Sequence, residues 1–256
     1  MTEQQPSNQD LSFAVGLVTI FLCAIFGSNA VAIKLAFSGL GVFTTAAIRF
    51  SIAALAIFVW AKVSGQTIGL KKGQLHQVLI LSVLFAIQLS MFYFGLSKSN
   101  ASRGTLIVNL LPFWVLFLAH FFIPGDRITT RKFLGILLGF GGVAFMFAET
   151  KGVTAGFRVA ELLILLATFI WACSVIYLKR IIAGFSPFQI TLYSMIFSVP
   201  IFFIEALLWD APMVTHWDSK IIGALLYQSL VTAAFGFVAW NTLLQKYGAV
   251  ALHSFI

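Results

Sequence analysis

Charge is the scarcest property of this chain of 256 residues: Asp, Glu, Lys and Arg make up 9% of it, against 60% hydrophobic residues. A soluble globular domain carries about 25% charged residues. Together with a mean hydropathy of +1.00, that scarcity excludes a soluble fold and places the chain in a bilayer. The two cysteines, Cys23 and Cys173, fall inside apolar stretches, where a thiol acts as a small hydrophobe, and they exclude a disulfide framework. Histidine occurs four times, as His76, His120, His216 and His253, with no HExxH spacing and no paired intramembrane acids, which argues against a membrane-embedded hydrolase. No stretch alternates apolar and polar residues over the roughly 10 positions that a membrane strand needs. The opening MTEQQPSNQD lacks Lys and Arg and precedes an apolar run too long for a signal-peptide core. A disordered cytoplasmic tail over 1–10, with no cleaved leader, is the expectation.

What the chain has instead is long apolar runs. Charge-free stretches cover 11–33, 73–97, 104–125, 181–204 and 221–245, each long enough for the roughly 20 residues that cross a hydrocarbon core. Three further segments, 133–148, 162–178 and 35–61, are shorter or interrupted by Arg49, and they still suffice because flanking Lys and Arg side chains snorkel. The expectation is an all-α, polytopic membrane protein with eight spans and the start of a ninth at Ala249. The net charge of +8 resides at span ends, where Lys and Arg set topology, so it carries no implication of nucleic acid. With the N-terminus cytoplasmic, nine Lys and Arg residues fall on the inner loops and six on the outer ones, the sense that the positive-inside bias favours in an inner (plasma) membrane.

The sequence also repeats. FGSNAVAIKLAFSGLGVF from Phe26 aligns with WACSVIYLKRIIAGFSPF from Trp171, matching Lys34 to Lys179, Gly39 to Gly184 and Phe43 to Phe188 at one offset of 145. Leu96, Lys98 and Ala101 match Leu244, Lys246 and Ala249 at an offset of 148. The reading is a duplicated unit, 11–148 and 157–256, with five helices in the first copy. An odd number of helices inserts the second copy upside down, which gives the inverted repeat of many secondary transporters, with solute bound near the midplane. The partner of 109–148 would lie at about 257–296, so the expectation is a ten-helix protein of which about eight and a half helices are present here, truncated at its C-terminus.

The stretches GSNAVAIKLA, IRF, LSKSNASRGTLIVNLLPFWVLFLAHFF and GDRITTRKFLGILLGFGGV resemble the drug/metabolite transporter superfamily, specifically its EamA-type permeases. The resemblance covers essentially the whole chain and is most specific between the fourth and fifth spans. There Asp126 stands where the family usually has Glu. It implies ten helices, cytoplasmic termini, a central cavity lined by helices 1–4 and 6–9, and movement of small metabolites, often amino acids outward.

Several residues are candidates for that cavity. Arg49 is the one ionised side chain deep in a span, and a buried charge there needs either a function or a structural anchor. Its repeat partner is Ser194. Pro112 withholds an N–H from the carbonyl of Val108, beside Asn109, and a freed carbonyl must face protein or a water-filled space. Pro200 has the same relation to Ile196. Polar residues in the spans, among them Gln88, Ser174, Asn29, Gln228, Thr232 and Asn241, either join helices or line a site. Tyr93, Trp171 and Trp240 suit an amphipathic pocket. The substrate-binding set is therefore Arg49, Gln88, Tyr93, Asn109, Pro112, Trp171, Ser174 and Trp240.

Gly135 and Gly139 permit close helix approach, within the chain or across a homodimer interface. None of the eight acids falls near mid-membrane, which disfavours multidrug/proton exchange by a buried carboxylate and leaves coupling through His253 open. The functional reading is a permease moving small metabolites by alternating access, with a small-molecule metabolite and the lipid bilayer as partners and no cofactor or metal implied. A membrane-embedded enzyme and a non-transporting receptor or assembly subunit remain as alternatives.

Overall fold

The computed structural model describes residues 13–123, 134–135, 137–142, 145 and 155–247. Their helices, in chain order, are α1 Phe13–Ala36, α2 Val42–Val63, α3 Gln74–Lys98, α4 Ala101–Val108, α5 Leu111–Phe122, α6 Ala155–Ile181, α7 Pro187–Trp209, α8 Ser219–Leu226, a π-helical stretch Tyr227–Gly236, and α9 Phe237–Tyr247. In hydrocarbon every backbone N–H and C=O must be satisfied within the segment, and apolar runs of this length do so as helices. Among the described residues, seven helical stretches are long and apolar enough to cross a membrane, with α4 and α5 forming one of them and α8 to α9 another. The protein is thus an all-α, polytopic membrane protein. Among the described residues, β-structure is limited to one isolated bridge between Leu40 and Val214.

The run expected as a single helix over 104–125 is broken at Asn109 and Leu110. Pro112 has no N–H to continue the ladder, and Leu110 N–H instead donates to Ile107 C=O at 3.0 Å in a tighter turn. The segment expected over 35–61 starts later as a helix, at Val42, because residues 37–41 form the turn between α1 and α2. Over 133–148 the described residues are helical, and the rest of that expected span, the tail over 1–10 and the helix start at Ala249 lie outside the described residues. Gly139 faces the ring of Phe113 on α5, where a Cβ would collide, and Trp114 meets Phe140 edge-on at 4.7 Å. Gly139 thus gives close helix approach within the chain.

The bundle centre is built on small residues. Ala46, Ala47, Ala53 and Ala54 of α2 are buried beside Phe50 and Ile57, in one cluster with Phe202 of α7 and Ala233 of the π-helical stretch. Small side chains let α2 lie close to α7, the packing that joins helices where lipid offers no hydrophobic drive. Elsewhere α3 packs on α6 and α7, and α1 packs on α8 and the π-helical stretch. Large apolar side chains such as Leu17, Phe21, Leu55, Leu207 and Leu208 point outward, toward lipid.

Loops tie the bundle at both ends. At the Lys34 end, the α1–α2 turn meets the α7–α8 loop, with Gly41 N–H donating to Met213 C=O and Thr215 N–H to Gly39 C=O, both at 2.8 Å. At the Arg180 end, the start of α7 holds the α2–α3 loop and the start of α3 holds the α6–α7 turn: Gln189 Nε2 donates to Gly69 C=O at 2.6 Å, Tyr193 OH to Ile68 C=O at 2.9 Å, and Gln74 Nε2 to Gly184 C=O at 2.6 Å. Lys34 itself donates to the carbonyls of Leu96, Ser97 and Ser99 at 3.1, 3.3 and 2.8 Å. A cation there complements the negative end of α3.

Candidate functional site

Helices α1, α2, α3, α4, α6, α7 and α9, with the π-helical stretch, surround a cavity of about 360 Å³. Its wall is mostly apolar and aromatic, including Phe26, Phe85, Phe92, Trp171, Phe237 and Trp240. Phe26 anchors one side, with its ring 5.8 Å from Phe237 and 5.9 Å from Trp240. A large apolar concavity holding a few fixed polar groups is the usual form of a small-molecule site.

Those polar groups come from both parts of the sequence. Ser174 of α6 donates to Gln88 Oε1 of α3 at 3.0 Å, and Asn241 Nδ2 of α9 donates to Thr191 Oγ1 of α7 at 3.0 Å. Asn29 of α1, Asn109 at the α4–α5 break and Thr232 of the π-helical stretch also line the cavity. The side-chain oxygens of Asn29 and Thr232 are buried with no hydrogen-bond partner.

Arg49 lines the same cavity and is 1% exposed. Its Nη1 donates to Tyr93 OH at 2.7 Å, and its guanidinium carbon lies 4.8 Å from the centre of the Phe50 ring. Tyr93 OH in turn donates to Gln228 Oε1 at 3.5 Å, and Gln228 Nε2 to Ala32 C=O at 3.3 Å. Among the described residues the positive charge thus has neutral partners only. The described acids are engaged elsewhere: Glu161 with Arg103, Glu205 with Ser90, Asp210 with Val42 and Thr44, and Asp218 with Ile221 N–H.

Of the residues expected at the site, Arg49, Gln88, Asn109, Trp171, Ser174 and Trp240 line the cavity. Tyr93 sits behind the wall and holds Arg49. Pro112 is buried at the start of α5 and is absent from the lining, whereas Val108 and Asn109, one turn earlier, contribute to it. Pro200 and Ile196 face outward from α7, away from the cavity. Gln228, the third member of the Arg49 chain, was visible in the sequence only as one polar residue among several. Its π-helical setting has no sequence signal. The Arg103–Glu161 pair, linking α4 to α6 with Glu161 1% exposed, was missed because each residue reads as a span-end charge.

Helices long and apolar enough to cross a bilayer, gathered around an amphipathic cavity large enough for a small solute, are the architecture of a membrane transporter. The EamA-like transporter family model matches residues 14–148 and 158–255, and the chain belongs to that family. It is 24% identical over 240 residues to the "Probable amino-acid metabolite efflux pump" of Escherichia coli (strain K12), covering 91% of this chain and 78% of that protein. It is 19% identical over 234 residues to an uncharacterized transporter of Bacillus subtilis (strain 168), covering 91% and 79%. A solved crystal structure shares the fold at a TM-score of 0.72 and 14% identity, over 94% of this chain and 82% of that one.

Proposed function

We propose that this transporter exports amino acids or related small metabolites by alternating access, with the central cavity as its solute site and its N-terminus in the cytoplasm. The observation that carries the reading is that the cavity wall draws on α1–α4 from the first part of the sequence and on α6, α7, the π-helical stretch and α9 from the second. A site at such a junction is exposed alternately when one group of helices rocks against the other. The end loops support an inverted repeat. The α1–α2 turn pairs with the α7–α8 loop at one end, and at the other the start of α3 bonds to the α6–α7 turn and the start of α7 to the α2–α3 loop, which is the exchange expected of two copies related by an axis in the membrane plane. The excess of Lys and Arg on one set of loops supports the orientation in a plasma membrane. The named efflux pumps among its relatives support the substrate class.

Reconstitution of the full-length protein into liposomes loaded with a mixture of labelled amino acids tests this. The expected result is protein-dependent loss of at least one amino acid, with countertransport when the same amino acid is placed outside. Retention of the whole mixture at the rate of protein-free liposomes overturns the reading.

A further inference from the structure

We infer that Arg49 is the anchor for a carboxylate on the transported solute, and that the cavity selects monocarboxylates with an apolar body. The inference rests on the carrier reading above, because it assigns a solute group to the same cavity.

Three observations carry it. First, the guanidinium is buried, and among the described residues it meets no carboxylate: its contacts are Tyr93 OH and the face of Phe50. A cation held in a low-dielectric interior without a counter-charge costs several kcal/mol, which a bound anion offsets. Second, the group is only partly used. Guanidinium carries five N–H donors; Nη1 serves Tyr93, while Nε is buried with no partner. The Arg49–Tyr93–Gln228–Ala32 chain fixes the fork at one corner and leaves donors that match the two oxygens of a carboxylate. Third, the cavity fixes the ligand's charge and its other end. Among the described residues lining it, Arg49 is the sole charged one, so a monoanion is neutralised, whereas a phosphate dianion meets no second cation there. Around it stand Phe26, Trp171 and Trp240, which suit an apolar body.

The unpartnered oxygens of Asn29 and Thr232 lie on the same cavity. They accept a donor such as the ammonium group of an amino acid, so the ligand class narrows to apolar α-amino acids. The equivalent of Arg49 in the sequence repeat is Ser194, which also lines the cavity. The charge is therefore a feature of one side of the site and gives the solute a fixed orientation.

The test is equilibrium binding of radiolabelled L-phenylalanine and L-leucine to the purified full-length protein in lipid nanodiscs, with L-phenylalaninamide as competitor. The native protein is expected to bind at least one of the two amino acids about 10- to 100-fold more tightly than the amide, the size of effect that a charged hydrogen-bonding partner produces. In Arg49→Gln that preference should collapse through loss of carboxylate affinity, with affinity for the amide held or improved. Arg49→Lys, which keeps the charge but loses the fork, should recover part of the preference and guards against a Gln variant that fails to fold. Equal affinity for acid and amide in the native protein overturns the inference, as does binding of neither amino acid, or parallel loss of both ligand types in correctly folded Arg49→Gln. Flux measured on the same preparation separates the two readings. Discriminating, Arg49-dependent binding without flux overturns the carrier and leaves the anchor, whereas flux without discrimination leaves the carrier and overturns the anchor.

Discussion

Asp210, at the C-terminal end of α7, caps the N-terminus of α2: its carboxylate accepts from Thr44 N–H at 2.7 Å, Thr44 Oγ1 at 2.9 Å and Val42 N–H at 3.1 Å. An acid at a helix N-terminus satisfies donors that the helix cannot and meets the positive end of its dipole. Here the cap comes from 166 residues away, so it fastens two helices that also pack along their length. Gly41 makes room for it, since a Cβ there would collide with the Asp210 carboxylate. Asp210→Ala is expected to lower stability by about 1–2 kcal/mol. Thr44→Val, which retains the backbone bond, should cost less than half as much. Thermal unfolding in detergent reads both, and an Asp210→Ala midpoint equal to the native one contradicts the cap.

At Gly95, α3 lies close against α6. A Cβ there would stand 2.7 Å from Ile164 Cγ1 and 2.8 Å from Ala160 C=O. The first neighbour is a side chain that yields, the second is backbone that does not. Gly95→Ala should therefore destabilise by about 1–3 kcal/mol, the range for overpacking a filled core. Adding Ile164→Ala should recover only part of that loss, because the Ala160 carbonyl stays in place. Full recovery in the double variant would show that the side chain alone sets the distance.

Arg103 and Glu161 join α4 to α6 through two hydrogen bonds, from Nε to Oε1 and from Nη2 to Oε2, the latter at 3.2 Å. Glu161 is 1% exposed and Arg103 16%. Removing one member of a buried pair costs more than the pair itself is worth, because the other charge loses its counter-charge. Glu161→Ala should cost about 2–4 kcal/mol, below the figure for a wholly buried pair. Arg103→Met combined with Glu161→Leu should return most of it. A double variant no more stable than Glu161→Ala would assign the loss to packing instead.

The residue-by-residue outcome shows what an apolar sequence makes legible. Arg49 was legible because a charge inside a 20-residue apolar run has nowhere to go except an interior, and the interior it reached is the cavity. Trp171, Ser174 and Gln88 followed from polarity at span depth. Pro112 shows the limit: the donor it withholds from the Val108 carbonyl was readable, but the break at Asn109 and the phase of α5 relative to α4 across it were not, and Pro112 itself is absent from the lining. Asp210 and Glu161 were recognisable only as charges near span ends. Their partners, Thr44 and Arg103, lie 166 and 58 residues away, and no local pattern encodes contacts that tertiary packing alone creates.

The inverted arrangement makes the sharpest demand on the whole protein. Lys34 lies at the end of α1 that meets the α3 C-terminus, close to the start of α4, while Arg180 donates to Phe122 C=O at the far end of the α4–α5 span from the Arg103–Glu161 pair. The turns that follow these two residues, aligned in the sequence repeat, therefore occupy opposite ends of the bundle. Ser38 and Ala183 are exposed in those turns. In a background with Cys23 and Cys173 replaced by Ala, Ser38→Cys and Ala183→Cys should react with a membrane-impermeant maleimide from opposite sides. In sealed right-side-out vesicles, Ser38→Cys should label at once and Ala183→Cys only after permeabilisation, which follows from a cytoplasmic N-terminus. The reverse order would invert the orientation and keep the repeat. Labelling of both positions from one side would remove the mirror relation between the two sequence copies, and with it the reason for a solute site where they meet.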